Sequence, residues 1–188
     1  MNKTQYLALL RGINVGGNNI IKMLDLKACF ENMGFDNVLT YIQSGNVIFN
    51  SEEKNISELT IKIEKELSQK FGYTSKIVLI TRDHLEIIIH EIPENFGTDP
   101  ETYRYDVIFL RETLKPDEVF KLLKLRPGVD SAHFGQFTLY FSRLISKAGQ
   151  SYLTKLVALP VYKEMTIRNW NTTKKLHELM NKGTDIVK

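Results

Sequence analysis

Four segments of this chain gather side chains that hold negative charge. The first is Arg11-Gly12-Ile13-Asn14-Val15-Gly16-Gly17-Asn18-Asn19, with Lys22 close behind it. Glycines let the backbone approach a ligand and turn N–H groups toward it. A following helix adds partial positive charge at its N-terminus. Arg11 can grip a phosphate or carboxylate through two parallel hydrogen bonds. The same composition also suits a plain strand-to-helix connection, with glycines in tight turns and asparagines as caps. The spacing fits neither a Walker loop nor the dinucleotide G-x-G-x-x-G fingerprint.

The second segment is Tyr41-Ile42-Gln43-Ser44-Gly45-Asn46. It reads as a hairpin turn, in which Gly and Asn tolerate positive φ. Ser44 and Asn46 still place hydrogen-bonding groups at the end of a strand pair. The third, Ser142-Arg143 with Ser146-Lys147, sets two cations and two hydroxyls before a helix, or makes a solvated loop. The fourth, Thr166-Ile167-Arg168-Asn169-Trp170-Asn171-Thr172-Thr173, holds the only tryptophan at a helix start. Asn169 or Asn171 can cap that helix. Trp170 alone reads as a core residue. A cation such as Arg168 is disfavoured at a helix N-terminus unless it faces an anion.

All four segments supply donors. Such a set holds negative charge well and moves protons poorly near neutral pH, where a tuned His or carboxylate is usual. None of the four segments contains a carboxylate pair of the kind glycosidases use. No metal-ligand spacing occurs, and no metal or cofactor is expected. A G-x-S-x-G elbow is missing. Cys29 is the single cysteine, which excludes intrachain disulfides and reads as a small buried hydrophobe.

These segments need elements to position them. Tyr6 to Leu10 reads as a strand, and Met23, Leu26, Phe30 and Met33 as a helix closed by Gly34. Two strands follow around Gln43-Ser44-Gly45, then a helix from Ile56 to Leu67 ending near Gly72, then strand Lys76 to Ile80. A short helix from Arg82 to Glu91 leads into a Pro- and Gly-bearing linker, Ile92 to Pro100. The order then restarts: strand Tyr105 to Leu110, a helix opened by Pro116, a hairpin from Asp130 to Phe141, helix Ser151 to Leu159 and strand Met165 to Arg168. A last helix runs from Asn171 to Asn181, closed by Gly183. The reading is α+β, with two tandem, duplicated ferredoxin-like βαββαβ units. Residues 1–92 form the first unit with its linker helix. Residues 101–188 form the second, with the C-terminal helix.

Charge divides the same way. Residues 1–103 carry 10 Lys+Arg against 14 Asp+Glu, and residues 104–188 carry 15 against 8. The second half is therefore net +7, which attracts anionic partners or simply keeps a face solvated. No apolar run approaches the roughly 20 residues of a membrane span. The N-terminus lacks the pattern of a signal peptide, so the expected location is cytoplasmic and no membrane is involved. No pattern assigns an oligomeric state.

Leu9 to Gly17, Thr40 to Asn46 and Thr166 to Thr172 together resemble the bacterial family called domain of unknown function 1697. Lys22 before the Met23 helix, and Ser146-Lys147 before a late helix, also look like that family. The likeness runs from about Tyr6 to Leu179. It implies the duplicated ferredoxin-like architecture and no established reaction, substrate or cofactor. The family's motif residues fall on Arg11, Gly12, Asn14, Gly16, Lys22, Gln43, Ser44, Gly45, Asn46, Ser146, Lys147, Arg168, Asn169 and Trp170. The segment between Phe141 and Ser146 is shorter than the resemblance leads one to expect.

The functional expectation is a binding protein for an anionic or phosphorylated small ligand, such as a nucleotide. Arg11, Asn14, Ser44, Asn46, Lys147 and Arg168 would line one cleft between the units. Gly12, Gly16, Lys22, Asn169 and Trp170 belong to the same ligand-binding set. One alternative is RNA binding through the basic second unit, with Tyr105 and Tyr140 as stacking aromatics. Another is a metal-independent phosphoester or acyl enzyme using Ser44 or Lys147. A protein-interaction module, marked by an exposed apolar patch, is the fourth reading.

Overall fold

A computed structural model describes residues 3–182, so the Gly183 helix closure expected from the sequence lies outside the described residues. The chain forms an α+β structure with two four-stranded antiparallel sheets. It divides into two compact units. One ends at Asp83 and takes in the chain again from Met180; the other is His84–Leu179.

The first unit runs β1 (Thr4–Leu10), α1 (Met23–Asn32), β2 (Asp36–Tyr41), β3 (Asn46–Ser51), α2 (Ile56–Phe71) and β4 (Ile77–Thr81). Its sheet order is β2-β3-β1-β4. Alternation sends Tyr6, Ala8 and Leu10 to one face, where they pack with Leu26 and Phe30 of α1 and Leu59, Ile63 and Leu67 of α2. Phe30, Phe35 and Phe49 cluster with ring centroids 4.5–5.9 Å apart. Leu7 and Leu9, pointing the other way, are buried too. Each such buried side chain contributes about 1.5–3 kcal/mol relative to exposure. Helix α2 is set by its caps: Asn55 accepts a hydrogen bond from the Glu58 N–H at 3.2 Å, and Gly72 ends it in the left-handed region. The register of β2 against β3 shifts between Asp36 and Leu39, where Asn37 adopts a positive φ of 51°. Lys3 pairs with Asp36 beside that irregularity.

Helix α3 (Arg82–His90) leads into the second unit. There follow β5 (Tyr103–Leu110), α4 (Pro116–Leu122), β6 (Asp130–Phe134), β7 (Thr138–Leu144), α5 (Leu153–Val157), β8 (Met165–Asn169) and α6 (Trp170–Lys182). The sheet order is β6-β7-β5-β8, the same connectivity as in the first unit. Ile108, Leu110, Leu139, Phe141 and Met165 face α4 and α5 and pack on Val119, Leu153 and Leu156. On the opposite face Tyr140 donates to the Ile88 carbonyl of α3 at 2.6 Å, and His84 stacks on Phe137. Glu91, just past α3, accepts a hydrogen bond from the Gln136 N–H at 2.7 Å. The sequence reading grouped α3 with residues 1–92; these contacts tie it to the second sheet.

Two segments differ from expectation. The helix foreseen over Ser151 to Leu159 shrinks to α5, between 3-10 turns at Ile145–Gln150 and Pro160–Glu164. Pro160 cannot donate its missing N–H, so the α-helix stops short of it. The Ile92 to Pro100 stretch is not merely a solvated connection. Phe96 is buried and meets Tyr105, Tyr140 and Trp170 edge-on, with centroids 4.9–5.5 Å apart. Among the described residues, no helix is long and apolar enough to cross a membrane.

Candidate functional site

The glycine-rich loop after β1 folds back on itself. Asn18 N–H donates to the Val15 carbonyl at 3.1 Å and Asn14 N–H to the Asn19 carbonyl at 3.2 Å. Gly12, Asn14, Gly16, Gly17 and Asn19 all have positive φ, which explains the residue types. Asn14 is a structural hub. Its Nδ2 donates to the Ile21 carbonyl at 3.0 Å and the Gln43 carbonyl at 2.8 Å, and its Oδ1 accepts from the Ile21 N–H at 2.8 Å. Asn19 Nδ2 donates to the Gly12 carbonyl at 2.8 Å. The side-chain amides of Asn14 and Asn19 therefore bind backbone. The outer part is open: Gly16, Lys22 and the large apolar residues Val15, Ile20 and Leu24 are exposed.

The first two motifs meet. Gln43 receives the Asn14 amide, and Leu10 N–H donates to the Gly45 carbonyl at 2.8 Å. Gly45 is required there: a Cβ would lie 2.6 Å from Ile13 Cδ1 and 2.8 Å from Leu10 Cβ, at a φ of +76°. Asn46 is fully buried and donates from Nδ2 to the Tyr41 carbonyl at 2.9 Å and to Ser44 Oγ at 3.0 Å. Arg11 is half-buried, with its backbone N–H donating to the Lys76 carbonyl.

In the second unit, strand β8 and helix α6 carry the last motif. Asn169 is the cap: Oδ1 accepts from the Asn171 N–H at 3.0 Å, and Nδ2 donates to the Tyr105 carbonyl at 3.0 Å. Arg168 is buried, with 8% of its surface exposed. Its Nη1 donates to Thr166 Oγ1 at 2.9 Å and to the Ile167 carbonyl at 3.0 Å. Loss of hydration lowers its pKa to about 10. Lys147 sits exposed in the 3-10 turn after β7.

Beside Asn169 and Trp170 opens a cavity of about 490 Å³. Tyr103, Arg104, Asn169, Trp170, Asn171 and Lys174 supply its aromatic and polar wall. Gly97 and Pro100 also line it, and no carboxylate is among the lining residues. Gly97, at φ +84°, admits the indole: a Cβ there would sit 2.4 Å from Trp170 Nε1. Lys174 Nζ lies 5.8 Å from the Trp170 ring centre. Of the expected site residues, Asn169 and Trp170 line this cavity; Arg168 and Lys147 do not.

Sequence reasoning missed the group beneath the cavity. Asp106 on β5 is buried, with 1% of its surface exposed, and lies opposite Asn169 in the sheet register. Arg104 Nε donates to Asp106 Oδ1 at 3.4 Å, and Arg143 Nη2 lies 3.6 Å from Oδ2. Burial pushes the Asp106 carboxyl above its usual pKa, against the two arginines and Asn169. An acid directly before the apolar run Val107 to Leu110 was the available signal. The structure also buries Tyr105 and Tyr140, the aromatics on which an RNA-stacking face depended. No group of three or more metal-ligating side chains forms among the described residues.

The family model described as Protein of unknown function (DUF1697) matches residues 3–140. The chain belongs to this family. The matched stretch holds the glycine-rich loop and the Tyr41–Asn46 turn, while β8 and α6 lie beyond it. Among solved structures, the DUF1697 chain is similar to the conserved bacterial protein SP0830 from Streptococcus pneumoniae. The two share 27% identity at a TM-score of 0.83, over 96% of this chain and 99% of that one. A search of curated proteins returns no match.

Proposed function

We propose that this DUF1697 protein binds an anionic, phosphorylated small molecule of nucleotide size, with the cavity of the second unit as its site. One observation carries the reading. About 490 Å³ of space is lined by Arg104, Lys174, two asparagines, Tyr103 and Trp170, at the N-terminus of a 13-residue helix. Cations and the helix terminus suit phosphate, and aromatic side chains suit a flat ring. The surrounding +7 half favours anion approach. The wall contains neither histidine nor carboxylate, which supports binding over catalysis. The lone cysteine fits a reducing, cytoplasmic setting. The shared strand order of the two sheets supports reading them as duplicated ferredoxin-like units.

The test is a titration of the full chain with AMP, ADP, phosphate and sulfate, followed by thermal shift and by emission of its sole tryptophan, Trp170. Saturable stabilisation with a change in emission is expected, and it should be lost in Lys174→Ala and Arg104→Ala while both variants stay folded. Binding retained in both variants places the ligand elsewhere and refutes the assignment.

A further inference from the structure

The charges around Asp106 do not pair one to one. Asp106 is one carboxylate facing two guanidinium groups, Arg104 on its own strand and Arg143 on β7. Asn169 of β8, opposite it in the sheet register, also favours its ionised form. Arg143 in turn pairs in register with Asp130 of β6, whose Oδ2 is already held by the N–H groups of Arg126 and Tyr152. Arg126 Nη1 donates to the Tyr152 hydroxyl at 2.9 Å. Asp106 Oδ2 and Arg143 Nε are both buried without a hydrogen-bond partner. Arg104 is the exposed member: half its side chain is in solvent, its bond to Asp106 is long, and it alone of the two arginines lines the cavity.

We propose that Asp106 competes with the bound anion for Arg104, so that the cavity holds its ligand more tightly when Asp106 is neutral. This rests on the cavity being the anion site. A carboxylate behind Arg104 cancels charge that would otherwise act on the ligand. Protonation, or replacement by an amide of the same shape, leaves Arg104 and Arg143 uncompensated and strengthens the field toward the cavity. By linkage, a bound anion must disfavour the ionised carboxylate to the same extent. Burial already holds the Asp106 pKa above that of an ordinary carboxyl, which brings the change closer to neutral pH.

The experiment uses sulfate, whose own charge stays constant over the range, on the full chain from about pH 4, near the ordinary carboxyl value, to pH 8. Wild-type affinity should rise on acidification. Asp106→Asn should bind sulfate about tenfold more tightly than wild type at the upper pH, with little pH dependence. Equal or weaker binding by a folded Asp106→Asn overturns the proposal. Because that variant can lose stability, the second measurement needs no mutation. The Asp106 carboxyl carbon is followed by NMR with and without saturating sulfate. Its titration midpoint should move up with sulfate present; an unmoved midpoint overturns the proposal. Sulfate binding without this coupling rejects the Asp106 role alone. No binding of sulfate, phosphate, AMP or ADP rejects the cavity reading and this inference together.

Discussion

Replacing Gly97 by alanine should expel Trp170 from its place in the cavity wall. Two costs add. An L-residue at φ +84° loses about 1–2 kcal/mol from the left-handed conformation. The new methyl would also meet indole atoms Nε1 and Cδ1 at 2.4 and 2.6 Å, an overpacking that costs about 1–3 kcal/mol. Gly34→Ala separates them, because Gly34 has a similar φ of +87° with nothing within 4 Å of its added Cβ. Gly34→Ala should therefore lose only the first amount. Gly97→Ala should lose about 2–5 kcal/mol, a fall in melting temperature of roughly 4–20 °C for a chain of this length. The assay is a thermal melt of both variants, with tryptophan emission recorded at room temperature. A red shift is expected for Gly97→Ala alone, as the single indole moves toward water. Equal melting temperatures with unchanged emission in both would show that Gly97 does not make room for the indole.

Asn14→Ala removes three hydrogen bonds to backbone and should destabilise the chain by about 2–4 kcal/mol, measured by urea unfolding. A variant as stable as wild type would return Asn14 to the list of ligand groups. Cys29 is buried and its thiol pKa is pushed up, first by lost hydration and then by Glu66. It should react with a disulfide reagent far more slowly in the native chain than in urea; comparable rates would contradict its burial. Asp106 has a raised folded pKa, so the native state keeps a proton that the unfolded chain releases. Stability should fall as pH rises from the usual carboxyl value of 3.8 through the raised one, and that slope should flatten in Asp106→Asn. Urea midpoints across that window provide the measurement.

The regular elements were legible because their signals are local. Tyr6 to Leu10 is an apolar run ended by glycine, and Leu59, Ile63 and Leu67 repeat at helical spacing. The Ser151 to Leu159 helix failed because hydrophobic spacing was weighed without Gly149 and Pro160 at its borders. The site was only partly legible. Composition flagged Asn14 and Asn46 as donors, but it cannot say which way a donor points, and both turn inward to backbone carbonyls. Asn169 and Trp170 stood out as a capped helix start next to the sole tryptophan, and both line the second-unit cavity. Arg104 joins them only through tertiary structure, 65 residues before Asn169, whereas Lys174 stands one helical turn after Trp170 on α6. Asp106 escaped because segments were chosen for donors, and its significance comes from strand register.

Both sheets are open, and an open sheet ends in backbone groups that can recruit another chain. The β2 edge is blunted by the register shift at Asp36–Leu39, the left-handed Asn37 and the Lys3–Asp36 ion pair. The β6 edge has an unbroken register over Asp130–Phe134 and ends in a half-exposed phenylalanine. The β2 and β6 edges thus carry unequal protection against strand-to-strand aggregation, and a charged residue in place of Phe134, which gives up its ring contact with Phe120, is the place to improve solubility at high concentration.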